Sequence, residues 1–266
     1  MMSEKKTGLS AFTLKLIALA LMTVDHIGFF IPGAPFVFRM LGRLSAPVFF
    51  FTAAHSLRHT SNRTLFILRL YIASAVMELT KMIVFFFDAD SRFAVTNNIF
   101  TTLFLSVFIA NGLLLSLRSL AQKEWRKCSE AAALAAFPVL WTLVAPVSAG
   151  LAGWTLKSIL PTLVQAEGGV TWVLLGVGFG LFAGNRKALV IFLGAFCSFL
   201  VLQVVQYSGF ASLVRSDIQW MMIFALPLLL LYNGEKGPGL KWLFYAYYPL
   251  HIWLLYFIGH FARMIL

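Results

Sequence analysis

Apolar residues run along this chain in long blocks separated by short polar punctuation. Blocks long enough to cross about 30 Å of hydrocarbon as helices fall at 14–31, 36–57, 65–87, 96–117, 131–149, 170–185, 187–206, 219–232 and 240–263. The breaks between them include "IPGAP", "RHTSNR", "DADSR", "RSLAQKEWRK", "AGNRK" and "NGEKGPG". In lipid every backbone N–H and C=O must be satisfied internally, so the blocks predict helices. The expected fold is an all-α, polytopic membrane bundle of nine crossings, the sixth and eighth being short. No internal repeat, low-complexity tail or soluble domain interrupts the pattern, and residues 1–266 read as a single membrane domain.

Composition fits that reading. The chain is 60% apolar and 12% charged, with mean hydropathy +0.86, whereas soluble domains are about half apolar and a quarter charged. Cys128 and Cys197 fall in a polar loop and an apolar run, so no disulfide framework is indicated. Lys5 and Lys6 precede the first block as in a signal peptide, but no small-residue cleavage site follows, and the block is read as an uncleaved first helix.

The formal charge of +11 points to orientation and anionic lipid rather than to nucleic acid. With the N-terminus in the cytoplasm, the inward loops hold Lys5, Lys6, Arg58, Arg63, Arg118, Lys123, Arg126, Lys127, Arg186, Lys187, Lys236 and Lys241. The outward loops hold little more than Arg92, Lys157 and Arg215, beside Asp88, Asp90, Glu167 and Asp217. The positive-inside bias predicts N-in and, with nine crossings, C-out.

That topology gives the buried polar residues a depth. Asp25 and His26 fall in the outer half of helix one, Arg39 and Arg43 at the outer start of helix two, Glu78 and Lys81 in the outer half of helix three, and Asn97 and Asn98 at the start of helix four. A centrally placed charge costs about 2.5–3.5 kcal/mol on insertion scales, and such groups usually line a site or pathway. Ordinary roles exist for most of them. Arg39 and Arg43 share a helix face and can snorkel, Glu78 and Lys81 can form an ion pair, and Asn98 can cap its helix. His251, inside "YYPLHIW", can be a packed histidine hydrogen-bonded between helices, and His55 and His59 read as interfacial. Trp154 and Trp172 can anchor the interface, although their loop "AGLAGWTLKSILPTLVQAEGGVTW" is also a candidate acceptor-facing lid.

Lys15 and His26 are eleven residues apart, which sets both on one helix face about 16 Å apart along the axis. Asp25 points about a quarter turn away and is expected to pair with a cation on another helix rather than to orient His26.

The stretches "LKLIALALMTVDHIG", "FRMLGRLSAPVFFF", "NNIFTTLFLS" and "FYAYYPLHIWLLY" resemble the TraX family, whose named member N-acetylates the amino terminus of conjugative pilin. The likeness runs from helix one to helix nine, and nothing in 119–165 contributes to it. TraX-like proteins are similar in turn to the wider group of transmembrane acyltransferases, including sugar O-acetylases that carry a basic residue, ten residues, then histidine. Lys15 and His26 match that spacing, and Arg39, Arg43 and Pro47 loosely match an arginine-rich stretch ending in proline.

The resemblance implies a multi-pass protein of the bacterial inner membrane that uses acyl-CoA, acetyl-CoA in the first instance, with no metal expected. Its acceptor is implied to be exported: a pilin-like peptide, a glycan or a small amine. His26 is then general base or transient acyl carrier, in a cavity that both substrates reach. Asp25, Arg39, Arg43 and Asn98 are the other catalytic candidates, the last three as donors to the tetrahedral intermediate. Lys15, Arg58 and Arg63 are candidates for the donor's phosphates, its pantetheine arm following the Lys15–His26 face. Glu78, Lys81, His251 and Trp154 are candidates for acceptor contact. Two other classes compete: a proton-coupled transporter with Asp25, Glu78 and His26 as relay, and a membrane scaffold for pilus or envelope assembly. Against the transporter stands the lack of a visible inverted repeat.

Overall fold

A computed structural model describes residues 7–87, 95, 97–145 and 151–265. Lys5, Lys6, Asp88, Asp90 and Arg92, which enter the charge-bias argument, lie outside the described residues. The element order is α1 (Ala11–Phe30), α2 (Val37–Gly42), α3 (Ser45–His59), α4 (Arg63–Phe87), α5 (Ile99–Ala121), α6 (Trp125–Val144), α7 (Leu151–Ile159), α8 (Gly169–Phe182), α9 (Arg186–Ser208) and α10 (Ser212–Arg215). A 3-10 helix (Ile218–Ala225), α11 (Leu226–Leu230) and α12 (Lys241–Ile265) complete it. Each of the nine expected blocks contains helix among the described residues. Five helices, Ala11–Phe30, Val37–His59, Ile99–Ala121, Trp125–Val144 and Arg186–Ser208, are long and apolar enough among the described residues to cross a membrane.

Local sequence explains the boundaries. Ser10 caps α1 by accepting from the Thr13 N–H at 3.1 Å. The helix ends at Ile31, which is extended because it precedes Pro32. The single helix expected over 36–57 is split after Gly42. Pro47 has no N–H to bond the carbonyl of Arg43, and its ring crowds that carbonyl. The block at 219–232 is likewise a 3-10 segment followed by α11, with Pro227 in the first turn of the latter. The region expected as one long loop contains α7. Gly168 opens α8 at φ +74, and a Cβ there would run into the Trp172 ring.

The chain divides into two compact units, Met1–Thr52 with Asn185–Leu266, and Ala53–Gly184. In the first, α1 and α12 run side by side in the same direction. The Phe12 and Phe244 rings meet edge to face at 6.1 Å, Thr23 meets Tyr247, and Phe30 meets Tyr256. Gly259 lies so close to the Phe30 carbonyl that no Cβ fits, and Arg263 donates to that carbonyl at 2.7 Å. The segments leading into the two helices also pair: the Leu9 N–H donates to the Leu231 carbonyl and the Asn233 N–H to the Leu9 carbonyl.

In the second unit α5 is the central helix, packed by α4, α6 and α8. Small residues let the backbones approach. A Cβ on Gly112 would sit 2.9 Å from the Cβ of Ala135, and one on Gly180 would overlap the Cβ of Ala110. Leu105, Ile109, Leu163, Val173 and Val177 fill the space between α5, α8 and the segment before it.

Candidate functional site

His26 lies near the end of α1 and is 2% exposed. Its Nδ1 is 2.7 Å from Nε2 of His251 on α12, and the rings lie 5.0 Å apart at 19°. His251, 5% exposed, has its Nδ1 2.8 Å from the carbonyl of Tyr247, one turn earlier. The Tyr247 hydroxyl reaches Thr23 Oγ1 at 2.8 Å, and that threonine hydroxyl donates to the Leu19 carbonyl at 2.8 Å. Two hydrogen-bonded links therefore tie α1 to α12 within one helical turn. Phe30 and Tyr248 flank the imidazole. No described residue hydrogen-bonds to His26 Nε2.

The eleven-residue spacing does place Lys15 and His26 on one face, but that face is covered. Lys15 Nζ lies 5.5 Å over the Phe244 ring, and α12 supplies Tyr247, Tyr248 and His251 further along. Instead of the open surface expected to guide a pantetheine arm, α12 packs there. His26 is flanked by an imidazole, a phenol and a benzyl ring and is 2% exposed.

Asp25, a quarter turn from His26, points at α2. Its Oδ2 accepts from Arg39 Nη1 at 2.8 Å and its Oδ1 from Arg43 Nη2 at 2.5 Å. Arg43 is spent further, with Nε donating to the Arg39 carbonyl and Nη1 to Gln219 Oε1 at 3.1 Å. Arg39 also rests over the Phe29 ring at 5.0 Å. Neither arginine snorkels freely, because the i,i+4 face of α2 turns both onto one carboxylate.

The other unit holds a second buried polar cluster. Glu78 Oε1 accepts from Lys81 Nζ at 2.9 Å and from Asn98 Nδ2 at 2.7 Å. Asn98, fully buried, also donates to the Ser74 carbonyl and caps α5 through the Thr101 N–H. Its neighbour Asn97 donates to Glu167 at 3.2 Å. The Arg58 guanidinium closes the end of α8, its Nη2 donating to the carbonyls of Gly180 and Leu181 at 3.0 and 2.8 Å. Arg63 starts α4 half-exposed, Trp154 is half-buried on α7, and the rings of His55 and His59 stack at 5.7 Å. Among the described residues no three His, Cys, Asp or Glu side chains converge as a metal site requires.

A cavity of about 440 Å³ lies where α9 begins and the segments before α1 and α12 pair, lined by Thr7, Gly8, Arg186, Leu231, Tyr232 and Asn233. Arg186 donates from Nη2 to the Tyr232 carbonyl at 2.8 Å. Sequence reasoning missed Gln219, Ser74, Glu167, Tyr247 and this cavity. The first four are single uncharged or loop residues with no periodic signature, and the cavity is assembled from three separated segments.

Compared with known proteins, residues 10–259 match the family model described as TraX protein. No curated protein and no solved structure matches the chain.

Proposed function

The chain belongs to the TraX family, and from that premise we propose that it is a membrane-embedded acyltransferase, moving an acetyl or longer acyl group from cytosolic acyl-CoA to the amine or hydroxyl of an exported acceptor. In this reading it crosses the bacterial inner membrane nine times, N-in and C-out. The parallel packing of α1 and α12 supports an odd count, since successive spans alternate in direction and two parallel spans are separated by an odd number of crossings.

The observation that carries the reading is a histidine buried on a helix long and apolar enough to cross a membrane, with one ring nitrogen engaged by His251 and the other by no described residue. The bond to His251 ties two helices, but packing alone does not call for a second ring nitrogen that no described residue satisfies. The acceptor nitrogen or oxygen attacks the thioester carbonyl, His26 takes the acceptor's proton, and the C–S bond breaks as the tetrahedral intermediate collapses. The same proton then goes to the departing thiolate, so the reaction balances without a further reactant. The enclosure of the ring excludes water, which would otherwise hydrolyse the thioester. It also requires the side chains over His26 to move aside when substrates enter. On the inward side of the proposed topology, the cavity beside Arg186 has a size and charge suited to the donor's phosphates. Acetyl-CoA is the proposed donor; the acceptor is a pilin-like peptide, a glycan or a small amine.

The test is thiol release from acetyl-CoA by the purified protein in lipid nanodiscs, supplied with peptide, glycan and amine acceptors. Wild type should release thiol and acetylate an acceptor, while His26→Ala should be slower by roughly a hundredfold or more. Full activity in folded His26→Ala removes the assignment. No thiol release from wild type favours a carrier or a scaffold.

A further inference from the structure

The hydrogen bonds around the paired imidazoles specify where their protons sit. Carbonyl oxygen only accepts, so the 2.8 Å contact between His251 Nδ1 and the Tyr247 carbonyl requires a proton on that Nδ1. In a neutral His251 the Nε2 then carries a lone pair. The 2.7 Å contact from this Nε2 to His26 Nδ1 therefore requires the proton on His26 Nδ1. That leaves the lone pair of His26 on Nε2, the nitrogen no described residue engages.

We propose that His251 is a positioning residue that holds His26 as its Nδ1–H tautomer and so makes Nε2 the reacting atom. The proposal rests on the acyl-transfer reading for its kinetic consequence, while the tautomer itself stands apart from it. When Nε2 takes a proton, the cation formed on His26 is shared across the 2.7 Å hydrogen bond. Its Nδ1 proton can pass to His251 Nε2, leaving His251 with both nitrogens protonated and the Tyr247 carbonyl still accepting from Nδ1. Return of that proton restores the resting pair when Nε2 protonates the thiolate. The Tyr247–Thr23 link, with donor and acceptor both satisfied, holds α1 and α12 in register for this exchange.

Nitrogen-15 spectra of histidine-labelled protein in lipid, with His26 assigned by its loss in His26→Asn, read the tautomer directly. In wild type, His26 should show a protonated Nδ1 and a bare Nε2. His251→Gln keeps an acceptor at the same position and should preserve that pattern and a rate within tenfold of wild type. His251→Phe keeps an aromatic ring but removes the acceptor; it should lose the pattern and slow transfer by roughly a hundredfold. A protonated Nε2 on wild-type His26 overturns the proposal. So does a set in which His251→Phe keeps the rate and His251→Gln loses it, the result expected of a residue that only packs. If wild type transfers no acyl group, the proposed function falls while the spectra still decide the tautomer. Where His251→Phe does not fold, the wild-type and His251→Gln spectra decide it.

Discussion

Gly42 and Asp25 touch with no room for a side chain between them: a Cβ on Gly42 would overlap the Asp25 carboxylate. That close approach lets α2 lay Arg39 and Arg43 on both oxygens of one acid, beside the helix turn that carries His26.

Gly42→Ala should therefore push Asp25 away from its arginines, and Asp25→Asn should strip the charge from between them. Removing one partner of a buried ion pair costs about 3–5 kcal/mol because the other is left uncompensated. Both variants should melt well below wild type in detergent. Combining Asp25→Asn with Arg43→Met should cost less than the two singles summed. Additive costs would mean that the carboxylate and Arg43 do not act as a pair.

Glu78 accepts from Lys81 and from the buried amide of Asn98. Glu78→Gln keeps an oxygen for Asn98 and should cost about 1–3 kcal/mol less stability than Glu78→Ala, which leaves one N–H of the Asn98 amide without its acceptor while the other stays on Ser74. Thermal unfolding of the two variants in the same detergent checks the order. Equal losses would show that the Asn98 contact contributes nothing measurable.

Arg58 was a candidate for donor phosphate, yet its Nη2 binds the last carbonyls of α8. Arg58→Ala should lower stability by about 1.5–3 kcal/mol, as expected for charged hydrogen bonds to carbonyls that lack helical partners, and leave the KM for acetyl-CoA within about twofold. Arg186→Ala, at the 440 Å³ cavity, should raise that KM about tenfold, with a stability loss of about 0.5–1.5 kcal/mol from its one bond to the Tyr232 carbonyl. A raised KM in Arg58→Ala alone would return the phosphate to the original candidate.

Reporters fused to either end test the proposed topology. An enzyme active only outside should work when attached after α12 and fail when attached before α1. Reporters of one class working at both ends would leave an even number of crossings and contradict nine.

The sequence alone located the helices well, because apolar block length against hydrocarbon thickness is a strong signal. It placed helix breaks poorly. Pro47 lies in an apolar run that hydropathy averages over, and α7 is too short and mixed to register as a block. Facing was legible within a helix: Lys15 and His26 do share a side, and Asp25 does turn away toward cations. What lay on the other side of each face was not legible. His26 and His251 carry no spacing relation, and only the seam between the first and last helices joins them. The same limit left Arg39, Arg43 and Asn98 as free donors on paper, whereas Arg43 and Asn98 are committed to Asp25, Gln219, Glu78 and the α5 cap.

The two imidazoles are separated by 225 positions along the chain. At translation speeds of about 5–20 residues per second, His26 leaves the ribosome roughly 10–45 s before its partner. Through that interval the first helix has to reside in the bilayer with an unsatisfied polar ring, exposed to lipid, insertase or chaperone. Chains that end before the last helix lack His251 and cannot form the pair, so the seam between the first and last helices is complete only when synthesis is.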